Sequence, residues 1–272
     1  MKNSCIILAI FLFQTGGFSQ GKLNKTKTEI SKEKTDKKQS SIASNGVNAL
    51  AYDNTSQSDG LILSLLYHAS VGLLIGNYNS EAQLNHPLTS YPFKKEVPGN
   101  YTKNNHNSKY TQFRVDIMNQ LMAGTNMTVN HLKVRIRPTH ILFVQADYTE
   151  FMEPRIDDTG TDNLSLFNFS ICHDRIRYEK FNLGWTLGVL YIPNSIEKVG
   201  GNLGFQMEYF WNKRLSILSA IKWGWINETN INEFETTLRY HLKRSFISSG
   251  YERRKLGSST IHVGGMGVGI YL

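Results

Sequence analysis

The chain has 272 residues, of which 40% are hydrophobic and 11% aromatic, and a net charge of +8. That length allows one large domain or two small ones. The mean hydropathy of −0.33 gives a soluble look, but the average misleads for membrane barrels, where lipid-facing and lumen-facing residues cancel along each strand. The basic balance comes without any nucleic-acid-binding motif, so no nucleic-acid partner is expected.

Residues 1–20 read as a secretory leader. Lys2 supplies the positive start, and residues 5–13 form an apolar run too short to span a bilayer. Gly16, Gly17 and Ser19 are small residues ahead of a cut after Gln20. Cys5 stands at the front of the apolar run instead of following it, which argues against lipoprotein processing. Cys172 is then the only cysteine of the mature chain. An internal disulfide and a CxxC metal or redox motif are excluded, and Cys172 reads as a small residue inside the fold.

Residues 21–58 carry Lys22, Lys25, Lys27, Lys32, Lys34, Lys37 and Lys38 against Glu29, Glu33 and Asp36, with few large apolar side chains. Such composition cannot offset ordering entropy and predicts a disordered basic tail. Residues 59–272 are read as one barrel domain. Within it, residues 61–76 form the longest apolar stretch after the leader, interrupted by Ser64, His68 and Ser70. A long first strand fits it better than a membrane helix, with a buried helix or plug left open by the absence of periodicity. Residues 77–110, with Pro87, Pro92 and Pro98, read as a long loop on the cell-exterior side, offering Tyr91, Phe93 and Tyr101 as contact residues.

From residue 111 onward, large apolar residues recur at every second position. In 181–191 these are Phe181, Leu183, Trp185, Leu187, Val189 and Tyr191; in 203–211 they are Leu203, Phe205, Met207, Tyr209 and Trp211. Segments 111–122, 131–148, 164–173, 215–225, 233–242, 246–253 and 260–272 repeat the habit. Each is a strand with one greasy face. Pro138 marks either a tight turn between two strands or an irregularity in one long strand. The links 212–214 and 243–244 read as tight turns, and 153–163, 193–202, 227–232 and 254–259 as longer polar loops. The count is about ten strands. Any even number, eight and twelve included, returns both ends to one side.

A greasy face repeated to the last residue needs a partner for every backbone polar group if it meets lipid, and a closed barrel provides one. The ending GGMGVGIYL, the leader ending FSQ and the phrase NLGWTLGVLYI resemble small outer-membrane β-barrel proteins of the Bacteroidota. The resemblance covers residues 61–272. It implies an all-β, closed, antiparallel up-and-down transmembrane barrel, placed in the cell outer membrane after Sec-type export. It also implies recognition of the C-terminal strand by the barrel-assembly machinery, although the chain ends in Leu272 instead of Phe.

If the greasy faces meet lipid, the lumen collects Arg114, Asp116, Lys133, Arg135, Arg137, Gln145, Asp147, Glu208, Lys222, Glu235, Arg239 and His241. Charges in so narrow a space are expected to pair. The function expected is non-enzymatic: a structural, adhesive or small-pore role. One alternative is a lipid hydrolase built from Glu235, His241 and Ser245 or Ser248, or from His262 with Ser258, though no GxSxG motif supports it. Another is a soluble exported barrel with the greasy face inward around an apolar ligand. The histidines show no HxH or HExxH spacing, and no catalytic residue, metal or cofactor is expected. Lys213, Arg214, Lys243 and Arg244 on the tight turns are placed near phospholipid phosphates. Arg253, Arg254 and Lys255 are placed on the opposite rim facing lipopolysaccharide. Trp185, Trp211, Trp223 and Trp225 would be girdle residues.

Overall fold

The computed structural model describes residues 21–32, 70–92, 99–103, 113–155, 160–193 and 196–272. Ten strands follow one another: β1 (Arg114–Gly124), β2 (Met127–Arg137), β3 (Leu142–Pro154), β4 (Thr161–Arg177), β5 (Phe181–Ile192), β6 (Lys198–Phe210), β7 (Leu215–Ile226), β8 (Thr229–His241), β9 (Ser245–Leu256) and β10 (Ser259–Tyr271). Each pairs antiparallel with its sequence neighbours, and β1 pairs with β10, so the sheet closes. No edge is left unpaired. The stretch 131–148 is two strands, because Pro138 begins the turn between β2 and β3.

Over most of the barrel's height the alternation read from sequence has one sense. Leu203, Phe205, Met207, Tyr209 and Trp211 point outward and are exposed, as are Leu187, Val189, Trp223, Trp225, Val268, Ile270 and Leu272. Their neighbours point inward and are buried. The soluble reading with the greasy face inward is therefore overturned: the interior holds the charges. Cys172 is buried on an inward position of β4. Outward aromatics gather toward both ends. Tyr209, Trp211 and Tyr240 lie toward the rim where β1 begins and the chain ends, here the terminal rim. Tyr191, Trp223 and Trp225 lie toward the opposite, far rim.

The connections are shorter than their composition implied. Residues 227–228 and 257–258 are two-residue turns on the far rim. Asn227 and Glu228 both have positive φ (45° and 67°), the backbone hand that matches the twist of the strands they join. Polar residues flanking those turns belong to the strands, where alternate positions face the interior, so polarity there does not mark a loop.

Three readings of the N-terminal region change. Lys22–Ser31, inside the stretch read as a disordered tail, forms the helix α1. Leu23, Thr26 and Ile30 make its buried stripe, too sparse to sustain a helix without the barrel beneath it. Residues 33–58 lie outside the described residues, as do the leader and residues 61–69. Residues 70–74, within the proposed first strand, are a helical turn, and among the described residues the first strand is β1. The described residues of the stretch read as a loop, 77–92 and 99–103, close the terminal rim. Ala82–Asn85 form a single 3-10 turn. Leu88 bridges Tyr101, and Thr89 N–H donates to the Asn100 carbonyl at 2.8 Å.

Candidate functional site

The interior is stratified from rim to rim. Beneath α1 the inward positions are apolar: Met122, Val129, Phe151, Leu164, Leu190, Ile226, Leu256 and Val263 join Leu23 and Ile30 in one cluster. These positions keep the strand period but reverse its usual polarity, so alternation alone could not separate the two faces here. Asn227 Nδ2 donates to the carbonyls of Ile30 and Lys32, both at 2.8 Å, and fastens the end of α1. Glu29 accepts from the Ser258 hydroxyl and from its N–H at 2.9 Å. The Ser258 hydroxyl bond is the main reason the Glu29 carboxyl lies below the ordinary carboxylate range.

Below the apolar layer sits a belt of ion pairs that crosses the lumen. Lys133 on β2 donates to Glu235 on β8 at 2.5 Å. Lys222 on β7 reaches Asp147 on β3 at 3.1 Å and Glu233 on β8 at 3.2 Å. Arg254 lies between Glu233 and Glu252, 3.3 Å from each. His131 hydrogen-bonds Glu252 through Nδ1, and its Nε2 faces Asp147 at 3.6 Å. Carboxylates on both sides of the ring call for a donor on each nitrogen, which only the doubly protonated imidazole supplies. The local charges then close: Asp147, Glu233, Glu235 and Glu252 against Lys133, Lys222, Arg254 and His131. In the β8–β9 register Glu235 stands directly opposite Glu252, an arrangement that repels unless cations from across the barrel intervene.

His131, Glu235 and Glu252 bring ligand atoms within 4.8 Å of one another, a spacing that suits a metal ion. Lys133 and the imidazole already serve those carboxylates. A divalent ion ligated there would displace the proton from His131 and still leave one positive charge in excess beside Lys133, so the donor set does not fit one.

A second charged layer faces the terminal rim. Arg135 donates to Gln145 at 2.8 Å and to Gln206 at 3.3 Å. Arg114 pairs with Asp116 at 2.7 Å and Arg137 with Asp174 at 2.9 Å. Arg239 lies 3.5 Å from Glu208. A register shift between Asp174 and Ile176 leaves Asp174 and Arg177 both buried, while Arg175 reaches Glu81 at 2.8 Å outside. Such bulges re-aim side chains at rims.

The N-terminal segment completes this layer. Asn100 donates to Glu208 at 2.7 Å and accepts from Arg114 at 3.0 Å. Tyr101 donates to Asp174 at 2.5 Å. Burial, then the Asp174 charge, pushes the Tyr101 hydroxyl up, so it remains a donor. Arg177 donates to the Leu84 carbonyl. Gly99, at φ 110°, lies so close to the Glu179 carbonyl that a Cβ would sit 1.5 Å from its oxygen; only glycine allows that approach.

All of Arg114, Asp116, Lys133, Arg135, Arg137, Gln145, Asp147, Glu208, Lys222, Glu235, Arg239 and His241 are buried. Absent from that set, yet in the same network, are His131, Asp174, Glu233, Glu252 and Arg254. Arg254, placed by sequence on an outer rim, is interior, because residues 254–256 continue β9; its neighbours Arg253 and Lys255 are exposed. The hydrolase sets are not assembled. Glu235 serves Lys133, whereas the His241 ring nitrogens meet Ser216 at 2.7 Å and Tyr271 at 2.9 Å. Ser248 accepts from Gln120 at 3.1 Å. His262 meets Tyr251 at 2.8 Å, and Ser258 serves Glu29.

No protein-family model matches the chain, and no curated protein matches it. Among solved structures it is similar to the N-terminal β-barrel domain of OprF from Pseudomonas aeruginosa, with 10% identity and a TM-score of 0.33 over 59% of this chain and 98% of that one. It is similar to the COG4313 outer membrane channel from Pseudomonas putida F1, with 8% identity and a TM-score of 0.37 over 63% and 99%. A third is Ail, the attachment invasion locus protein of Yersinia pestis, with 12% identity and a TM-score of 0.29 over 59% and 96%. The architecture of this chain stands on its own strand pairing.

Proposed function

We propose that the protein is an integral β-barrel of the outer membrane with a structural or adhesive role, its lumen closed by an internal charge network. One observation carries the reading: a band of large apolar side chains faces outward around a closed sheet whose interior is charged. Exposed apolar surface on that scale is stabilised by hydrocarbon and disfavoured in water. Strands of 11 residues and more rise enough, at the usual tilt, for an apolar band of about 25 Å. Lipid then surrounds the barrel, and the C-terminal strand from 260 to 272 meets the barrel-assembly machinery during insertion. The leader supports Sec-type export, and the FSQ and GGMGVGIYL endings support a Bacteroidota source.

With the C-terminus in the periplasm, Lys213, Arg214, Lys243 and Arg244 lie beside phospholipid headgroups. Arg253 and Lys255 lie toward lipopolysaccharide, and the far rim with α1 meets the exterior. A small pore is the second reading; the ion pairs that cross the lumen count against an open one. Membrane fractionation with a heat-modifiable gel shift tests the placement: the protein is expected in the outer-membrane fraction, migrating faster unheated than boiled. A monomer freely soluble without detergent would end this reading. Cysteines placed at 213 and 255 test orientation, with labelling of intact cells expected at 255 alone.

A further inference from the structure

We propose that removal of the leader creates the group that locks α1 onto the barrel: the new α-ammonium of Gly21 becomes the counter-charge of the buried Glu153 carboxylate. The inference rests on the reading of residues 1–20 as a cleaved leader and on the geometry at the far rim.

Glu153 is 2% exposed, near the end of β3. Its register partner on β4 is Asp162, also buried. The two carboxylates do not share a cation. Asp162 receives Arg155 at 2.8 Å and Asn24 Nδ2 at 2.8 Å. Among the described residues Glu153 receives main-chain N–H groups only, from Gly21 at 3.1 Å, Lys22 at 3.3 Å and Leu23 at 2.9 Å. The Lys22 ammonium turns away to the Thr260 carbonyl at 3.0 Å. Among the described residues no side-chain cation pairs with Glu153. A buried carboxylate so placed is heavily penalised unless a positive charge reaches it, and the start of a helix supplies only a partial one.

The sequence puts the cut between Gln20 and Gly21, the residue whose nitrogen touches Glu153. Hydrolysis of that amide by a leader peptidase consumes one water and breaks the C–N bond. Gln20 leaves with the new carboxylate, and the single N–H of Gly21 becomes an –NH3⁺ group. One neutral donor is thereby replaced by a charged one with three hydrogens, at hydrogen-bond distance from a carboxylate awaiting it. The lid then closes firmly only on a processed chain, with Leu23 and Ile30 sealing the apolar mouth.

The test uses the folded full-length mature barrel, with folding verified on each sample by the heat-modifiable gel shift. Intact mass is expected to place the first residue at Gly21. Trypsin is expected to cut after Lys25, on the exposed side of α1, at least tenfold more slowly in that protein than in one acetylated at the Gly21 nitrogen. A chain carrying one extra alanine before Gly21 is expected to behave like the acetylated form, and Glu153→Gln to abolish the difference between free and acetylated termini. A mature terminus at another residue, or equal cleavage rates for free and acetylated Gly21 with Glu153 intact, would overturn the proposal. Because the gel shift is read independently, either result leaves the membrane placement to its own test.

Discussion

At the scale of single residues, the interior is governed by pairing. Lys222 is shared by Asp147 and Glu233. Lys222→Met keeps the bulk and removes the charge, leaving two carboxylates buried with fewer cations. Breaking a buried pair from one side costs about 3–5 kcal/mol, a loss expected in urea unfolding of the barrel in detergent micelles. Replacing Lys133 with Met and Glu235 with Leu together is expected to cost less than either change alone, since no unpaired charge remains. Outside the barrel, Glu81 answers to pH. Hydrogen bonds from Arg175 first, and from the Asn77 N–H, hold its carboxyl below the ordinary range. A lowered carboxyl contributes stability that is present above its unfolded value and lost as pH falls through the folded one. The contact between residues 70–85 and Arg175 is therefore expected to hold at neutral pH and to loosen only in acid, below the usual glutamate value of about 4.3. Hydrogen exchange of the Asn77 amide, a donor to Glu81, would read it.

At the scale of elements, β10 shows how an inward face is chosen by space. Gly265, Gly267 and Gly269 fill successive inward positions near its end. A Cβ at Gly269 would lie 2.1 Å from Phe246 Cζ and 2.7 Å from the Ile117 carbonyl oxygen. Bulk there collides with the aromatic group of Phe246, His241 and Tyr271 and with the β1–β10 seam that closes the sheet. Gly269→Val is expected to cost about 1–3 kcal/mol, the usual range for overpacking, and to lower the temperature of the gel-shift transition. Val268→Leu, on the outward face, is expected to leave it nearly unchanged. The reason for these glycines lies in the facing groups of β1 and β9, which no local pattern names. The helix α1 is the counter-case. Two large apolar residues in ten do not announce a helix, and the apolar mouth that receives them is assembled from most of the strands.

At the scale of the whole molecule, three successive barriers occupy the bore: α1 over an apolar layer, the belt joining β2 and β3 to β7 and β8, and the segment around Asn100 and Tyr101 at the terminal rim. Planar-bilayer recordings of the full-length protein are expected to show no stepwise current at moderate voltage. Regular unitary steps would overturn the sealed-lumen reading and favour the small pore. Removal of α1 alone is expected to leave the recording silent, because the charged belt does not depend on it.

The sequence by itself determined the class of fold and the division of each strand into two faces, one greasy and one carrying charges such as Arg114, Lys133 and Glu235. Both are written in the relation of a residue to its second neighbour, a local property that a twisted pleated strand must obey; which face turns inward was decided by the closed sheet. Pro138 likewise marked the break between β2 and β3, though whether as turn or kink depended on the pairing. Only the tertiary structure decided which charges meet, since Lys133 and Glu235 stand 102 residues apart. It also decided which end of the lumen is apolar and what closes each rim. Those outcomes follow from curvature: closing the sheet brings opposite strands within the reach of one side chain, and no local pattern records which positions then face each other.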